Sequence, residues 1–403
     1  MNIHAALVAV GSKTRCACVV GTRPEVIKMA PVIRRLRRTE WATPFVIATG
    51  QQDGLLDRAL DDFQITPDDA VRYNPKGASL APTLISIVGK LDESFDRIQP
   101  ELVIAQGDTT SVFAASLAAF YRRIPFVHVE AGLRTGDLSA PFPEEFHRRA
   151  IAVSTLLHCA PTRAAAAHLR NEGVSEGRIL MSGNTVIDAL LEMAKSKPAP
   201  PPAFPRVPYP ILLTAHRREN FGEPLREALS AIRAFVDANP DAGVFFPMHP
   251  NPAARSVAHD ILSGHERIVL AEPLSYPQIV SAMQRSWIVV TDSGGLQEEA
   301  PALGKPVLVL RDVTERPEAV TAGAVRIVGT SRDRVFDALT EIRFDEAAYD
   351  RMARPIFPYG DGRAAQRIVA ALRMKMAVRI GAEAHAAVQQ HRGAAWSRLP
   401  QRS

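Results

Sequence analysis

Short polar strings hold the side chains of this sequence that could move protons or bind phosphate. Each begins where an apolar run ends. Gln106-Gly107-Asp108-Thr109-Thr110 follows the run 102–105, and Asp108 suits either an acid/base role or a plain helix N-cap. Glu130 ends the run 126–129. A carboxylate closing a buried strand needs a partner or a task, because an unpaired buried charge is costly. Pro143-Glu144-Glu145 comes next, ahead of His147, Arg148 and Arg149. Glu144 fits catalysis, and it equally fits the favourable charge position at a helix start. After the run 16–20 stands Gly21-Thr22-Arg23-Pro24-Glu25, with Lys28 one turn further on. Pro24 suits the first position of a helix, whose open N–H groups attract an anion. Arg23 and Lys28 would add charge there, although a tight turn with solvated bases accounts for the same residues.

The second half repeats the habit. His216 lies in Thr214-Ala215-His216-Arg217-Arg218-Glu219-Asn220, beside two arginines at a strand end. That setting favours function over a core histidine. Ser293-Gly294-Gly295, with Glu299 beyond, opens a helix whose backbone N–H groups can approach a phosphate closely. Arg316 sits in a further loop after a strand.

These strings must be carried by something, and the runs before them say what. Each is four or five residues long and apolar on both faces, as in a parallel sheet covered on both sides. Amphipathic helix-length stretches, such as 24–37 and 109–121, separate them. The alternation predicts doubly wound α/β domains. Residues 196–210 read SKPAPPPAFPRVPYP, a stiff proline-rich linker, and the pattern then restarts. The predicted organisation is a Rossmann-like domain over 1–195 and the linker over 196–210. A second such domain spans 211–361, a last helix 362–380, and an ill-ordered tail 381–403. Ligands of open α/β sheets sit beyond the carboxyl ends of the strands, so two such domains facing each other would share one cleft.

Composition narrows the class. The 403 residues are 46% hydrophobic and 23% charged, with a formal net charge of +5, as expected of a soluble globular protein. The basic run Arg34, Arg35, Arg37, Arg38 falls at a helix end, where cations complement the dipole, so no nucleic-acid or membrane surface is expected. Cys16, Cys18 and Cys159 are too few for a disulfide framework or a metal cluster, which points to the cytosol and to no metal. The apolar stretch 3–10 is too short to span a bilayer, and its basic residues, Lys13 and Arg15, follow it, the wrong order for a secretory signal. The only glycine fingerprint, at Gly360, follows Pro-Tyr rather than a strand, so a nicotinamide cofactor is not expected.

Taken together, the motifs GTRPEVIKMAPVI, QGDTTS, HVEAGLRTGDL, PFPEE, SGNTVIDAL, AHRRENFGEPL, TDSGGLQEEAPALGKPVLVLRD, TERPEAV and PYGDG closely resemble the non-hydrolysing UDP-N-acetylglucosamine 2-epimerases. The match runs in order from about residue 15 to 378. The resemblance implies the two-domain glycosyltransferase B architecture, a homodimer, and reversible conversion of UDP-GlcNAc to UDP-ManNAc. It implies Asp108, Glu130 and Glu144 as catalytic carboxylates, without saying which serves which face of C2. Arg23, Lys28 and His216 would support the reacting sugar and its diphosphate, and Ser293, Gly294, Gly295, Glu299 and Arg316 would hold UDP.

One stretch departs from the family pattern. Many members read T-G-Q-H-R after the second strand, where this chain has Thr49-Gly50-Gln51-Gln52-Asp53-Gly54. In some bacterial members that loop helps bind an activating UDP-GlcNAc. Gln51, Arg217 and His249 match parts of such a site, and the altered residues also fit a related substrate such as a UDP-diacetamido sugar. A glycosyltransferase of the same architecture, a hydrolysing epimerase and a UDP-sugar sensor are the rival expectations. The crowded carboxylates of the first half argue against the transferase and the sensor.

Overall fold

Each strand pairs parallel with its neighbours in two separate sheets. The computed structural model describes residues 13–50, 54–71, 79–217 and 220–379. The first sheet contains β1 (Thr14–Val20), β2 (Ala42–Ala48), β3 (Asp69–Ala70), β4 (Leu102–Gln106), β5 (Phe126–Val129), β6 (Thr155–Ala160) and β7 (Ile179–Met181). Their spatial order is β3-β2-β1-β4-β5-β6-β7. The second contains β8 (Tyr209–Thr214), β9 (Ala242–Pro247), β10 (Ile268–Ala271), β11 (Ile288–Thr291), β12 (Val307–Val309) and β13 (Val325–Ile327), in the order β10-β9-β8-β11-β12-β13. Strand order reverses beside β1 and β4 in one sheet and beside β8 and β11 in the other. Those are the points where doubly wound sheets bind ligands. The α/β class and the two Rossmann-like domains therefore agree with the sequence reading.

Burial explains why the runs are strands. Cys16, Ala17 and Cys18 are wholly inaccessible, so successive residues on both faces of β1 are covered. The cysteines act there as small apolar packing groups, and burial pushes the Cys16 thiol up to about 12. Val19, Val103, Ala105 and Phe126 join Phe95 and Ile151 in one core of the first unit. Ile211, Leu213, Val244, Val290 and Leu308 join Leu229, Phe235 and Leu339 in the core of the second.

The chain divides into two compact units. The first comprises residues up to Leu56, then Thr66–Thr185, then Arg363 onward. The second comprises Asp57–Ile65 and Val186–Gly362. Residues 57–65 and 186–195, read from sequence as part of the first domain, thus group with the second unit. The reason is contact chemistry: the Phe63 ring meets Tyr276 at 5.4 Å, and Asp62 Oδ2 accepts the Tyr276 N–H at 2.9 Å. Residues 197–208 of the proline-rich stretch form no helix or strand. A helix over 364–379 groups with the first unit, where Arg367 Nη1 donates to the Ser182 carbonyl at 3.1 Å.

Candidate active site

In the first unit the site begins with an unusual backbone position. Glu130, directly after β5, has φ +63, a left-handed conformation that costs an L-residue with a side chain roughly 1–2 kcal/mol. Its buried carboxylate is held by several donors. Lys28 Nζ lies 2.7 Å from each oxygen, Asn184 Nδ2 donates at 2.8 Å, and Gln106 Nε2 donates as well. Lys28 is therefore not a solvated base on a turn. It comes from the helix Arg23–Arg37, whose N-cap is Thr22 and whose second residue, one later than the sequence suggested, is Pro24.

Asp108 follows β4 and precedes the N-cap Thr109 of the helix Thr110–Tyr121, so the cap expected as one reading of Asp108 belongs to its neighbour. Arg148 Nε donates to Asp108 Oδ2 at 2.8 Å. The loop backbone is gripped as well: His128 Nε2 lies 2.7 Å from the Gly107 carbonyl, and His147 Nδ1 lies 2.8 Å from that of Asp108. A carbonyl only accepts, so both nitrogens carry hydrogen. Burial pushes His128 down to about 4 and holds His147 below its ordinary value. The His147 ring stacks on Phe113 with centroids 5.0 Å apart.

The two adjacent glutamates divide their work. Glu145 is fully buried and accepts from the Thr135 and Gly136 N–H groups at 3.1 and 3.3 Å. Arg148 Nη1 and Arg149 Nε each add a bond of 3.3 Å. Burial is the strongest single influence and opposes ionisation, but these donors outweigh it and keep Glu145 below the usual carboxylate range. Arg148 thus bridges Glu145 and Asp108. Glu144 opens the helix Glu144–Ser154 and stays partly exposed, three residues before His147.

In the second unit the organiser is Asp292, which is inaccessible. It accepts the N–H groups of His216 and Arg217 at 2.9 and 2.8 Å, and Asn220 Nδ2 at 3.2 Å. His216 Nδ1 lies 3.0 Å from Oδ1. The imidazole of His216 is thereby oriented with Nδ1 toward the carboxylate. His249 stacks on it at 6.0 Å.

The helix Gly294–Ala302 begins two residues beyond Asp292, and its N-cap Ser293 makes no side-chain cap hydrogen bond. A β-carbon added to Gly294 would come 3.8 Å from Arg217 Nη2 and 3.9 Å from Arg316 Nη2. Two guanidinium groups therefore border one helix start, and the glycine leaves room between them for an anion. Arg316 is anchored by Nε to the buried Glu298, and its carbonyl accepts the Tyr359 hydroxyl at 2.9 Å. Glu299 is buried on the same helix.

The first unit thus brings Asp108, Glu130 and Lys28 to the ends of β4 and β5 and the helix after β1, with Arg23 half-buried at that helix start. The second brings His216, Ser293, Gly294, Gly295 and Arg316 to the ends of β8 and β11 and the loop beyond β12. Arg217 and His249 adjoin His216, while Gln51 lies outside the described residues. Sequence reasoning did not single out Glu145, Arg148, His147, Asn184, Gln106, Asp292, Glu298 or Tyr359. The strings QGDTTS, SGNTVIDAL and PYGDG held Gln106, Asn184 and Tyr359, but nothing in them told a supporting residue from a filler.

Comparison with known proteins follows the same line. Residues 34–373 match the family model described as UDP-N-acetylglucosamine 2-epimerase. The chain is 42% identical over 369 residues to the UDP-N-acetylglucosamine 2-epimerase of Escherichia coli K12, covering 88% of this chain and 97% of that one. It is 43% identical over 359 residues to the enzyme of that name from Bacillus subtilis, with 89% and 94% covered. Among solved structures, the UDP-GlcNAc 2-epimerase from Neisseria meningitidis bound to UDP-GlcNAc superposes with a TM-score of 0.82 at 40% identity, over 89% of this chain and 99% of that one. The Methanocaldococcus jannaschii UDP-GlcNAc 2-epimerase in complex with UDP-GlcNAc and UDP gives 0.72 at 28% identity, with 89% and 99% covered. The glycosyltransferase B class expected from the motifs is that of these neighbours. Among the described residues no helix is long and apolar enough to cross a membrane.

Proposed function

The chain belongs to the UDP-N-acetylglucosamine 2-epimerase family, and from that premise we propose that it interconverts UDP-GlcNAc and UDP-ManNAc by eliminating UDP and adding it back. The observation that carries the reading is the carboxylate set at the ends of β4 and β5, each member held by a cation. Asp108 is paired with Arg148, and Glu130 with Lys28.

The C2–H of the intact sugar is too weak an acid for a carboxylate. In the proposed course the C1–O bond breaks first, its electron pair leaving on the β-phosphate oxygen of UDP. The cation at C1 acidifies C2–H, and a carboxylate takes that proton to give 2-acetamidoglucal. A proton then returns to C2 from the opposite face while the UDP oxygen attacks C1. Each step is redox-neutral and uses no hydride carrier. General acid–base help of this kind contributes roughly 10²–10⁴-fold.

The nucleotide falls to the second unit in this reading. Departing diphosphate charge is met by the uncapped start at Gly294, by Arg316 and Arg217, and by His216 as aligned by Asp292. Glu299 and Ser293 belong to the same nucleotide-holding set. In the first unit Asp108, Glu130 and Glu144 act on C2, with Arg23 beside the leaving group. Lys28 acts chiefly through Glu130.

A homodimer and a cytosolic location complete the reading. Phe120, Phe146 and Val153 are exposed on the neighbouring helices Thr110–Tyr121 and Glu144–Ser154, and Phe113 and Phe146 meet edge-on at 5.8 Å. Such an apolar stripe suits a second copy of the chain. The three cysteines are free and buried, as suits a reducing compartment.

The test is incubation with UDP-GlcNAc in deuterated water. Deuterium at C2 together with UDP-ManNAc is expected by NMR. Unlabelled nucleotide sugar, or free sugar as the main product, would refute the reading. Light scattering of wild type and Phe146→Glu tests the dimer, which should dissociate in the variant.

A further inference from the structure

The first unit contains a fully buried acid outside the catalytic set. Glu25 lies in the first turn of the helix Arg23–Arg37 and is 2% exposed. Thr22 and Glu25 have the spacing of a capping box, and the Thr22 hydroxyl does accept the Glu25 N–H at 3.5 Å. In an ordinary box the glutamate would fold back to the N-cap N–H. Here Oε2 instead accepts the Gly21 N–H at 2.6 Å. Oε1 leaves the helix altogether and accepts the Thr109 hydroxyl at 2.7 Å.

Thr109 is itself an N-cap, accepting from the Val112 N–H at 3.5 Å. One carboxylate in the first turn of a helix therefore ties the residue before that helix's N-cap to the N-cap of another helix, across the point where strand order reverses between β1 and β4. Arg23 follows one cap and Asp108 precedes the other. Burying a carboxylate is expensive, and a helix cap alone would not require it. Burial raises the Glu25 acid, bonds from Thr109, Gly21 and the Thr22 side chain pull it back, the neighbouring Asp108 raises it again, and it stands at about 7.

We propose that Glu25 is a positioning residue, a strut that fixes the Asp108 loop against the Arg23 turn so that the Asp108 carboxylate is held at its working position. The inference rests on the epimerase reading above and adds to it a residue that touches no substrate. Glu25 acts through both of its oxygens. Removing them leaves the Gly21 N–H and the Thr109 hydroxyl without their partner, and the Asp108 loop relaxes. A glutamine keeps both bonds, accepting from Gly21 and donating to Thr109.

The experiment compares wild type, Glu25→Ala and Glu25→Gln for kcat, KM and UDP affinity, with rates expressed per UDP-binding molecule. In Glu25→Ala, kcat is expected to fall about 10²-fold, the scale of a misplaced catalytic group. KM and UDP affinity stay within about threefold, and glutamine restores most of the rate. A purely structural role would instead lower the melting temperature and the binding-competent fraction while leaving the rate per competent molecule unchanged. That result overturns the proposal, as does a glutamine variant no faster than the alanine one. If Glu25→Ala does not fold, Thr109→Val cuts the strut at its other end and must show the same selective loss of kcat. Wild type that turns over normally while both ends tolerate substitution defeats the strut alone. Wild type that fails to label C2 defeats the epimerase reading and the strut with it.

Discussion

Lys28 Nζ lies 2.7 Å from both oxygens of Glu130, tying the second turn of the first helix to the end of β5. Both side chains are largely withdrawn from water, at 16% and 6% exposure, so solvent screens the pair weakly. Lys28→Met takes the ammonium away from the carboxylate and leaves the Gln106 and Asn184 amides in place. Removing one partner of a buried pair typically costs about 3–5 kcal/mol of stability. We expect a lowered melting temperature and a loss of turnover of about 10²-fold. Lys28→Arg should keep more of both than Lys28→Met does, and wild-type turnover in Lys28→Met would show that Lys28 does not serve Glu130.

Asp292→Asn tests the second unit. The aspartate accepts from two backbone N–H groups, Asn220 and the His216 ring, and an asparagine would turn an NH₂ toward some of those donors. Each donor left unpaired in the interior costs about 1–3 kcal/mol. Although burial works against ionisation, the His216 ring and the backbone donors hold Asp292 below the usual carboxylate range. We expect kcat/KM to fall at least about tenfold as His216 loses its alignment. Calorimetric titration with UDP should show weaker binding. Unchanged affinity and rate would separate His216 from the diphosphate.

Acid should weaken the first unit through two histidines. His128 of β5 and His158 of β6 are register partners, and both are buried. Burial lowers His128 from 6.5 to about 4 and His158 from 6.5 to about 3, and the His158 value is depressed further by His128 beside it. Both folded values lie below the unfolded one, so unfolding takes up protons once the pH drops under 6.5. Stability is whole above that pH and drains away toward pH 4, by on the order of 3 kcal/mol for one such group. Glu25 works in the opposite sense, since its folded value of about 7 lies above the ordinary 4.5 and favours folding at low pH. Glu25 is the same in wild type and His158→Leu, so its effect cancels when the two are compared. Urea midpoints between pH 7.5 and 5 should fall less steeply in the variant, and parallel curves would contradict the assignment.

Gly21→Ala should damage the turn after β1. A β-carbon there would stand 2.2 Å from Ser111 Oγ and 2.4 Å from Thr49 Oγ1, and those two hydroxyls bond each other at 2.8 Å. Neither can withdraw cheaply, because both are buried. Overpacking of this kind costs about 1–3 kcal/mol. Gly21→Ala with Ser111→Gly should recover part of the melting temperature lost by Gly21→Ala alone.

The strand ends were legible because a parallel strand covered on both faces is mostly apolar, so the polar string that follows marks its carboxyl end, even though β5 itself holds the buried His128. Asp108, Glu130 and His216 were found in that way. The supporting residues were not, since their roles depend on where a side chain points. Of the neighbouring Glu144 and Glu145, spacing cannot say which turns inward to meet Thr135 and Gly136. Asp292 and Glu25 resemble ordinary cap residues until their distant partners are seen, 76 and 84 positions away. The segment 57–65 reads as part of the first half because its sequence neighbours are there. The contacts of Phe63 and Asp62 with Tyr276 place it with the second.

That segment has a consequence for how the protein is made. The polypeptide passes between the two units at Leu56, Ile65, Thr185 and Gly362. The first unit also includes the helix over 364–379, near the carboxyl end of the chain. On the ribosome, its amino-terminal sheet must wait for that helix while Val186–Gly362 of the second unit is synthesised in between. A stop codon placed after residue 362 would leave the first unit permanently short of a helix, however well the second had formed.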